Sequence, residues 1–319
     1  MGACCGPSRP DRSPTKGAPR PGSERGPGGP TPTELAALAA RAPADLRLVG
    51  LPGGTFRMGS EDPAAYPEDG EGPVREARVA PFAIGATTVT VAEFAAFVHD
   101  TGHRTDAELH GSSLVFGGLL DEELRRTCPA VVATPWWRQV DGATWFRPEG
   151  PGSTVTDRAD HPVTHVSHRD ALAHAAWVGA RLPTETEWEY AARGGLDQQP
   201  FPWGGVREPG GVPRMKTFTG TFPDGPTRPV GTEPATAFPP NAFGLHCMTG
   251  NVWEWTASSF GPRDGRPVLR GGSYLCHDSY CRRYRTSART SSTADSSLGH
   301  TGFRLALGHG DTAPFGQAR

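Results

Sequence analysis

Two cysteines, Cys276 and Cys281, stand five positions apart inside the run LRGGSYLCHDSYCRRYRTSAR from Leu269 to Arg289. Thiols this close suit several chemistries. They can pair as a local disulfide, although disulfides persist mainly in oxidising compartments. They can be inert, since a buried cysteine behaves as a small hydrophobe. They can also work as a redox dithiol, or hold a soft ion such as Cu(I), for which two thiolates without hard ligands are a fitting set. Zinc asks for four ligands, and only His277 and Asp278 lie beside the pair. Arg282, Arg283 and Arg285 add positive charge, which is expected to stabilise thiolates and lower the thiol pKa. Spacing alone leaves the inert or disulfide readings and the redox or metal readings open.

The elements that must position this loop are short. LRLVGLPGGTFRMGS alternates around a Pro-Gly-Gly turn and predicts two short strands or a hairpin, and EARVAPFAIGATTVT predicts two more. Between them lies an acidic, proline-broken loop, Glu61 to Pro73. Thr33 is expected to cap a short helix over Glu34 to Arg41, with Leu35 and Leu38 on one face. Thr90 with Glu93, Ser167 with Asp170, and Thr184 with Glu187 have the spacing of capping boxes. Phe94, Phe97 and Val98 then form the apolar stripe of the Thr90 helix. Glu185, Glu187 and Glu189 near a helix N-terminus are read as capping and dipole groups rather than paired catalytic carboxylates. His161, His165, His168 and His174 invite a metal site, but a strand and a helix start are expected to separate them, which favours structural histidines. Trp136, Trp137, Trp145 and Phe146 either pave a peptide groove or pack a loop-rich core.

Composition narrows the classes. Gly and Pro number 42 and 33 among 319 residues, well above ordinary usage, so a chain rich in loops is expected. The net charge is -2 with both signs interspersed, which argues against a nucleic-acid or membrane-surface partner. No apolar run approaches the roughly 20 residues of a membrane span. The six cysteines are scattered, MGACCGPSRP has no apolar h-region, and Gly6 stands where a myristoylation pattern needs Ser or Thr. A cytoplasmic, reducing location is expected. Residues 1–32, almost without large apolar side chains, read as a disordered tail. Residues 33–45 read as a short helix and linker, 46–308 as the folded domain and 309–319 as a C-terminal tail.

GGSYLCHDSYCRRYR followed by AR resembles the signature of the formylglycine-generating enzymes, also called sulfatase-modifying factors. PGGTFRMGS, GSSLVF, HPV, HVS, RLPTETEWEYAARGG, NAFGLHCMTGNVWEW and GFR resemble further stretches of that family, so the likeness runs from about Leu48 to Leu307. It implies a single mixed α/β, loop-rich domain of C-type-lectin-related architecture with little regular secondary structure. It also implies an enzyme that uses Cu(I), O2 and a thiol reductant to convert a cysteine in a sulfatase Cys-x-Pro-x-Arg motif to Cα-formylglycine. Carried over by position, Cys276 and Cys281 would be the copper ligands. Ser273 and Tyr280 would line the site around the substrate cysteine, while Arg285 and Arg289 are read as structural ion pairs.

The resemblance also marks departures. Ser112 stands where some members carry an acidic residue that meets the substrate arginine, and His300 where an asparagine often helps to hold it. With Trp137, these are the candidate substrate contacts. Family members usually bind structural calcium. Here Lys216 replaces an asparagine ligand and Cys247 an Asn or Asp ligand, so a first calcium site is expected to be lost and Cys247 to be a buried free thiol. A second site would use backbone oxygens of Met248, Gly250 and Val252. Ser112, Lys216, Cys247 and His300 also leave open a family paralogue that oxidises a cysteine in a different peptide, and two further rival readings keep the fold and change the role. One is a binding or accessory module; the other is an iron-dependent sulfoxide synthase, which would carry a three-histidine helical domain not seen before residue 46.

Overall fold

The computed structural model describes residues 29–308. Most of the N-terminal tail, the C-terminal tail, Cys4 and Cys5 lie outside them. The first helix, Pro32–Ala39, is capped by Thr31 rather than Thr33. A capping box needs its carboxylate three residues after the cap, and Glu34 has that spacing from Thr31, with Pro32 in the first turn where its missing N–H costs nothing.

Leu48–Leu51 and Gly54–Met58 are strands, but they do not form a hairpin with each other. The first pairs with Phe82–Gly85 and the second with Arg75–Val79, both antiparallel. Gly53 makes the switch between the two sheets at φ 68, where a Cβ would lie 2.3 Å from the Val79 carbonyl oxygen. Phe82–Gly85 also pairs with Ala306–Gly308, so the last described strand closes the sheet that the first one opens.

A four-stranded sheet carries the cysteine run. Its order is Arg289–Ser291, Asp264–Arg270, Trp253–Gly261 and Thr301–Phe303, with only the last pair parallel. Arg270 sits opposite Arg289 across two antiparallel strands. The cysteine loop is therefore the connection between neighbouring strands, and both its ends are fixed by the sheet. A further sheet, Ser112–Phe116 with Thr134–Asp141 and Ala130–Val131, carries Phe116, Trp136 and Trp137.

The helices Val91–Thr101, His168–Trp177 and Glu185–Arg193 start at Thr90, Ser167 and Thr184, each with a complete capping box. Phe94, Phe97 and Val98 are buried with Trp145, Phe146, Trp253, Trp255 and Phe303 in the main core. Each such ring contributes roughly 1.5–3 kcal/mol by leaving water. No helix among the described residues is long and apolar enough to cross a membrane.

Candidate active site

The chain leaves the sheet through Gly271 and Gly272, both at positive φ. A Cβ on Gly272 would lie 2.7 Å from the Arg283 carbonyl oxygen, because the returning arm of the loop passes directly against it. Glycine is thus what lets the loop close. Inside it, Cys281 N–H donates to the His277 carbonyl at 2.8 Å, a turn that folds the second cysteine back toward the first. The two sulfurs come to 3.4 Å, and both residues are 1% exposed. That separation is well beyond the ~2.05 Å of a disulfide, and both are free thiols. The Ser273 N–H points at Cys276 Sγ from 3.3 Å.

The expectation of arginine-stabilised thiolates is corrected. Burial pushes the Cys276 thiol well above its ordinary range, and the neighbouring Cys281 pushes it further. Arg283 cannot offset this because its charge is engaged elsewhere. Its guanidinium pairs with Asp69 and stacks 3.9 Å over the Tyr66 ring.

Arg285, Arg289 and Arg270 are likewise engaged with carboxylates. Arg285 Nη2 donates to Glu71 at 2.7 Å, and the same carboxylate accepts from Ser287 Oγ at 3.0 Å. Arg289 pairs with Glu185 at 2.6 Å and donates to the Asp69 carbonyl at 2.9 Å. Arg270, fully buried, joins Glu185 at 3.0 Å, Glu189 at 2.6 Å and two carbonyls of the returning arm, Thr286 and Ser287. Burial opposes ionisation of Glu185, but Arg270 and Arg289 outweigh it and hold the carboxyl below its usual range. At Asp69 the balance is reversed, and burial raises the pKa despite Arg283. Arg285 and Arg289 are thus ion-paired, as expected. Glu185 and Glu189 are more than dipole groups, since they form the buried acidic centre that anchors the loop. Asp69 and Glu71, in what reads as an ordinary acidic loop, are partners that sequence reasoning missed; the only signal was an acidic run facing an arginine-rich run.

Tyr280 OH donates to the Leu275 carbonyl at 2.8 Å, so its hydroxyl holds the loop. Its ring stacks on Phe222 at 4.1 Å and meets Trp136 at 5.5 Å. Trp136 also lines a surface groove of about 220 Å³ with Phe116, Pro135, Arg138, Pro223 and Asp224. An aromatic wall thus runs from an open groove to the residue beside Cys281. Of the four aromatics expected to pave a groove or pack the core, Trp136 is the one that lines the groove, while Phe222 is a residue that sequence reasoning missed.

Trp137 is buried instead, and His300, also buried, meets it edge-on at 4.6 Å. His300 Nδ1 lies 3.4 Å from Ser273 Oγ. Ser273, His300, Trp137 and the dithiol are therefore brought together. Ser112 is not part of this group: it pairs with Asp141 while Phe116 pairs with Trp137, which places it four residues away, roughly 13 Å along the strand. It is buried and accepts a hydrogen bond from Gln139 Nε2 at 3.1 Å. Of the expected groove aromatics, Trp145 and Phe146 belong to the core.

The donor set fits a soft monovalent metal: two adjacent sulfurs shielded from water. Among the described residues no group of three or more His, Cys, Asp or Glu is placed to hold a metal ion. The four histidines are used structurally. His161 contacts Thr232, His165 Ser113 and His168 the Thr256 carbonyl, while His174 is enclosed by Phe94, Phe97, Trp177 and Phe303. Calcium fares worse. Burial raises Cys247 to about 11, so it stays a neutral thiol. Glu254, two residues beyond Val252, is already bonded to Arg304 at 2.7 and 2.8 Å and to Trp188 at 2.7 Å. The backbone oxygens of Met248, Gly250 and Val252 thus lack the uncommitted anionic partner that a hard dication favours. At Lys216, where the resemblance implies a first site, the ammonium is paired with Glu233 at 2.7 Å.

Residues 35–308 match the model of the sulfatase-modifying factor enzyme 1-like domain. The chain is 50% identical to a formylglycine-generating enzyme of Thermomonospora curvata, over 84% of this chain and 96% of the relative. It is 44% identical to inactive Cα-formylglycine-generating enzyme 2 of Bos taurus, over 83% of this chain and 89% of the relative. Among solved structures, PvdO from Pseudomonas aeruginosa superposes with a TM-score of 0.57 at 25% identity, covering 83% of this chain and 95% of that one.

Proposed function

Because the chain belongs to the sulfatase-modifying factor enzyme 1-like family, we propose that it is a formylglycine-generating oxidase acting on a cysteine of a sulfatase polypeptide. The observation that carries this reading is the pair of free thiols 3.4 Å apart, since a relative that only bound peptide would have no use for them. The net reaction takes the methylene thiol of the substrate cysteine, O2 and two reductant thiols to an aldehyde, hydrogen sulfide, water and a disulfide of the reductant. Its four electrons to O2 come in equal halves from the substrate carbon and the thiols.

Cys276 and Cys281 would hold Cu(I), which when bound supplies the one-electron chemistry toward O2 that no side chain here offers. The protein supplies position and dryness. Both sulfurs are closed from solvent, so competing oxidants in water are kept away. Trp136, Phe222 and Tyr280 form an apolar wall along which an extended peptide can lie, presenting its cysteine beside Ser273. Ser273, between Cys276 and His300, is the polar group that would orient the arriving side chain. We place the activity in the cytoplasm, where a thiol reductant is at hand; the four described cysteines, all free, support that placement.

One observation favours a second substrate. Ser112 is buried against Gln139 and offers no carboxylate to a substrate arginine, so an oxidase for another cysteine peptide is the alternative. The test is mass spectrometry of a Cys-x-Pro-x-Arg peptide, and of the same peptide with its arginine replaced by alanine. Each is incubated aerobically with Cu(I)-loaded and copper-free protein and a thiol. Copper-dependent aldehyde in the arginine peptide supports the sulfatase assignment. Equal turnover of both peptides supports the alternative, and no aldehyde in either contradicts the enzyme reading.

A further inference from the structure

The place where the family resemblance implies a first calcium ion is built differently in this chain. Lys216 is largely buried, and its ammonium donates to the Pro229 carbonyl at 2.7 Å and to Glu233 Oε1 at 2.7 Å. Glu233 is held from the other side as well. Its N–H donates to Asn251 Oδ1 and its carbonyl accepts from Asn251 Nδ2, both at 3.0 Å. Asn251 N–H in turn donates to the Lys216 carbonyl at 2.9 Å. Residues 216, 229, 233 and 251 thus form one closed clamp. There is no slack in it: Gly250 sits at φ 74, and a Cβ there would lie 2.5 Å from the Lys216 carbonyl oxygen.

The clamp touches the active-site loop at three points. Phe218 N–H donates to the Cys276 carbonyl at 3.1 Å, Tyr274 N–H to the Asn251 carbonyl at 2.9 Å, and Gly250 N–H to the Gly271 carbonyl at 2.8 Å. Whatever holds residues 216–251 together therefore also supports the strap that carries Cys276.

We propose that the Lys216 ammonium is the resident cation of this clamp, a covalently attached charge in place of a divalent ion. An ammonium carries three donors and one positive charge. Here it gathers a backbone carbonyl and a carboxylate from a neighbouring loop, the kind of oxygen donors that a hard cation would otherwise collect. With the ammonium in place and Glu233 paired to it, a calcium ion there would meet like charge. The support that other members draw from a soluble ion is thus fixed in the sequence, and the cysteine loop holds its shape at this position whatever the calcium concentration.

The test reads local structure rather than turnover, so its outcome is independent of the catalytic assignment. Backbone amide exchange is followed by mass spectrometry in the full chain, with excess calcium and with EGTA, for wild type, Lys216→Met and Lys216→Arg. The wild type is expected to show the same exchange in residues 216–218, 227–235 and 274–276 in both buffers. Lys216→Met is expected to exchange faster in those segments and to melt several degrees lower, with no recovery on adding calcium. Lys216→Arg, which keeps the charge and the donors, recovers part of the protection. Calcium-dependent protection of these segments in the wild type would overturn the proposal. So would a Lys216→Met variant that exchanges and melts as the wild type does.

Discussion

Arg285 and Glu71 are 214 residues apart in the chain and 2.7 Å apart in the fold. Their pairing, with that of Arg283 to Asp69, fastens the returning arm of the cysteine loop to the segment that precedes the strand Arg75–Val79, while Arg289 fastens it to Glu185 at the start of the helix Glu185–Arg193. The dithiol owes its geometry to this buried network as much as to its own sequence.

Glu71→Gln therefore leaves Arg285 buried without a counter-charge. Breaking one partner of a buried pair costs about 3–5 kcal/mol, more than the pair's net worth. Urea denaturation should show a lower midpoint with an unchanged slope. A midpoint equal to the wild type would mean that the network does not hold the fold.

The burial of the thiols gives a second prediction. In the metal-free native protein, iodoacetamide at neutral pH should label Cys276 and Cys281 very slowly compared with the unfolded chain. The sulfurs are inaccessible, and burial keeps Cys276 protonated. Peptide mass spectrometry reads the labelling site by site. Rapid modification of either cysteine would restore the activated-thiolate picture.

Acid lability should come from the core histidines. Burial lowers His165 and His174 to about 3. An unfolded histidine titrates near 6.5, so each contributes stability that is fully present above about pH 6.5 and is lost as pH falls toward 3, at about 1.4 kcal/mol per pH unit. His174→Phe, in a cage of aromatic rings, should flatten the decline between pH 6.5 and 4.5. An equally steep decline in that variant would assign the acid sensitivity elsewhere.

Trp136 offers a test of the groove. It is only partly buried and meets Phe222 at 5.2 Å and Tyr280 at 5.5 Å. Trp136→Ala should lower kcat/KM for a peptide about tenfold, equivalent to roughly 1.4 kcal/mol, mainly through KM. No change in KM would remove the aromatic wall from the substrate path.

Much of this was legible from sequence because it is local. The capping boxes at Thr90, Ser167 and Thr184 and the stripe of Phe94, Phe97 and Val98 depend only on residues three or four apart. The closeness of Cys276 and Cys281 depends on a five-residue span. What could not be read is non-local. Nothing near Arg285 in the chain names Glu71, and nothing near Trp137 shows that its ring is covered while Trp136 keeps a face to the groove. The reversal at the thiols has the same origin: Arg283 and Arg285 lie beside the cysteines in sequence, but their charge is taken by Asp69 and Glu71, 214 residues away. Strand pairing misled locally too, since LRLVGLPGGTFRMGS has the form of a hairpin and yet its two strands join different sheets.

The most direct measurement combines copper and turnover in the same variants. Wild type, Cys276→Ser and Cys281→Ser are titrated with Cu(I) against a competing chelator and assayed for aldehyde on the Cys-x-Pro-x-Arg peptide, with circular dichroism to verify folding. The account predicts tight binding of one Cu(I) and copper-dependent aldehyde in the wild type. It predicts Cu(I) affinity lowered at least about a hundredfold and no aldehyde in either folded variant, since each leaves a single thiolate. Full activity in either serine variant would contradict it.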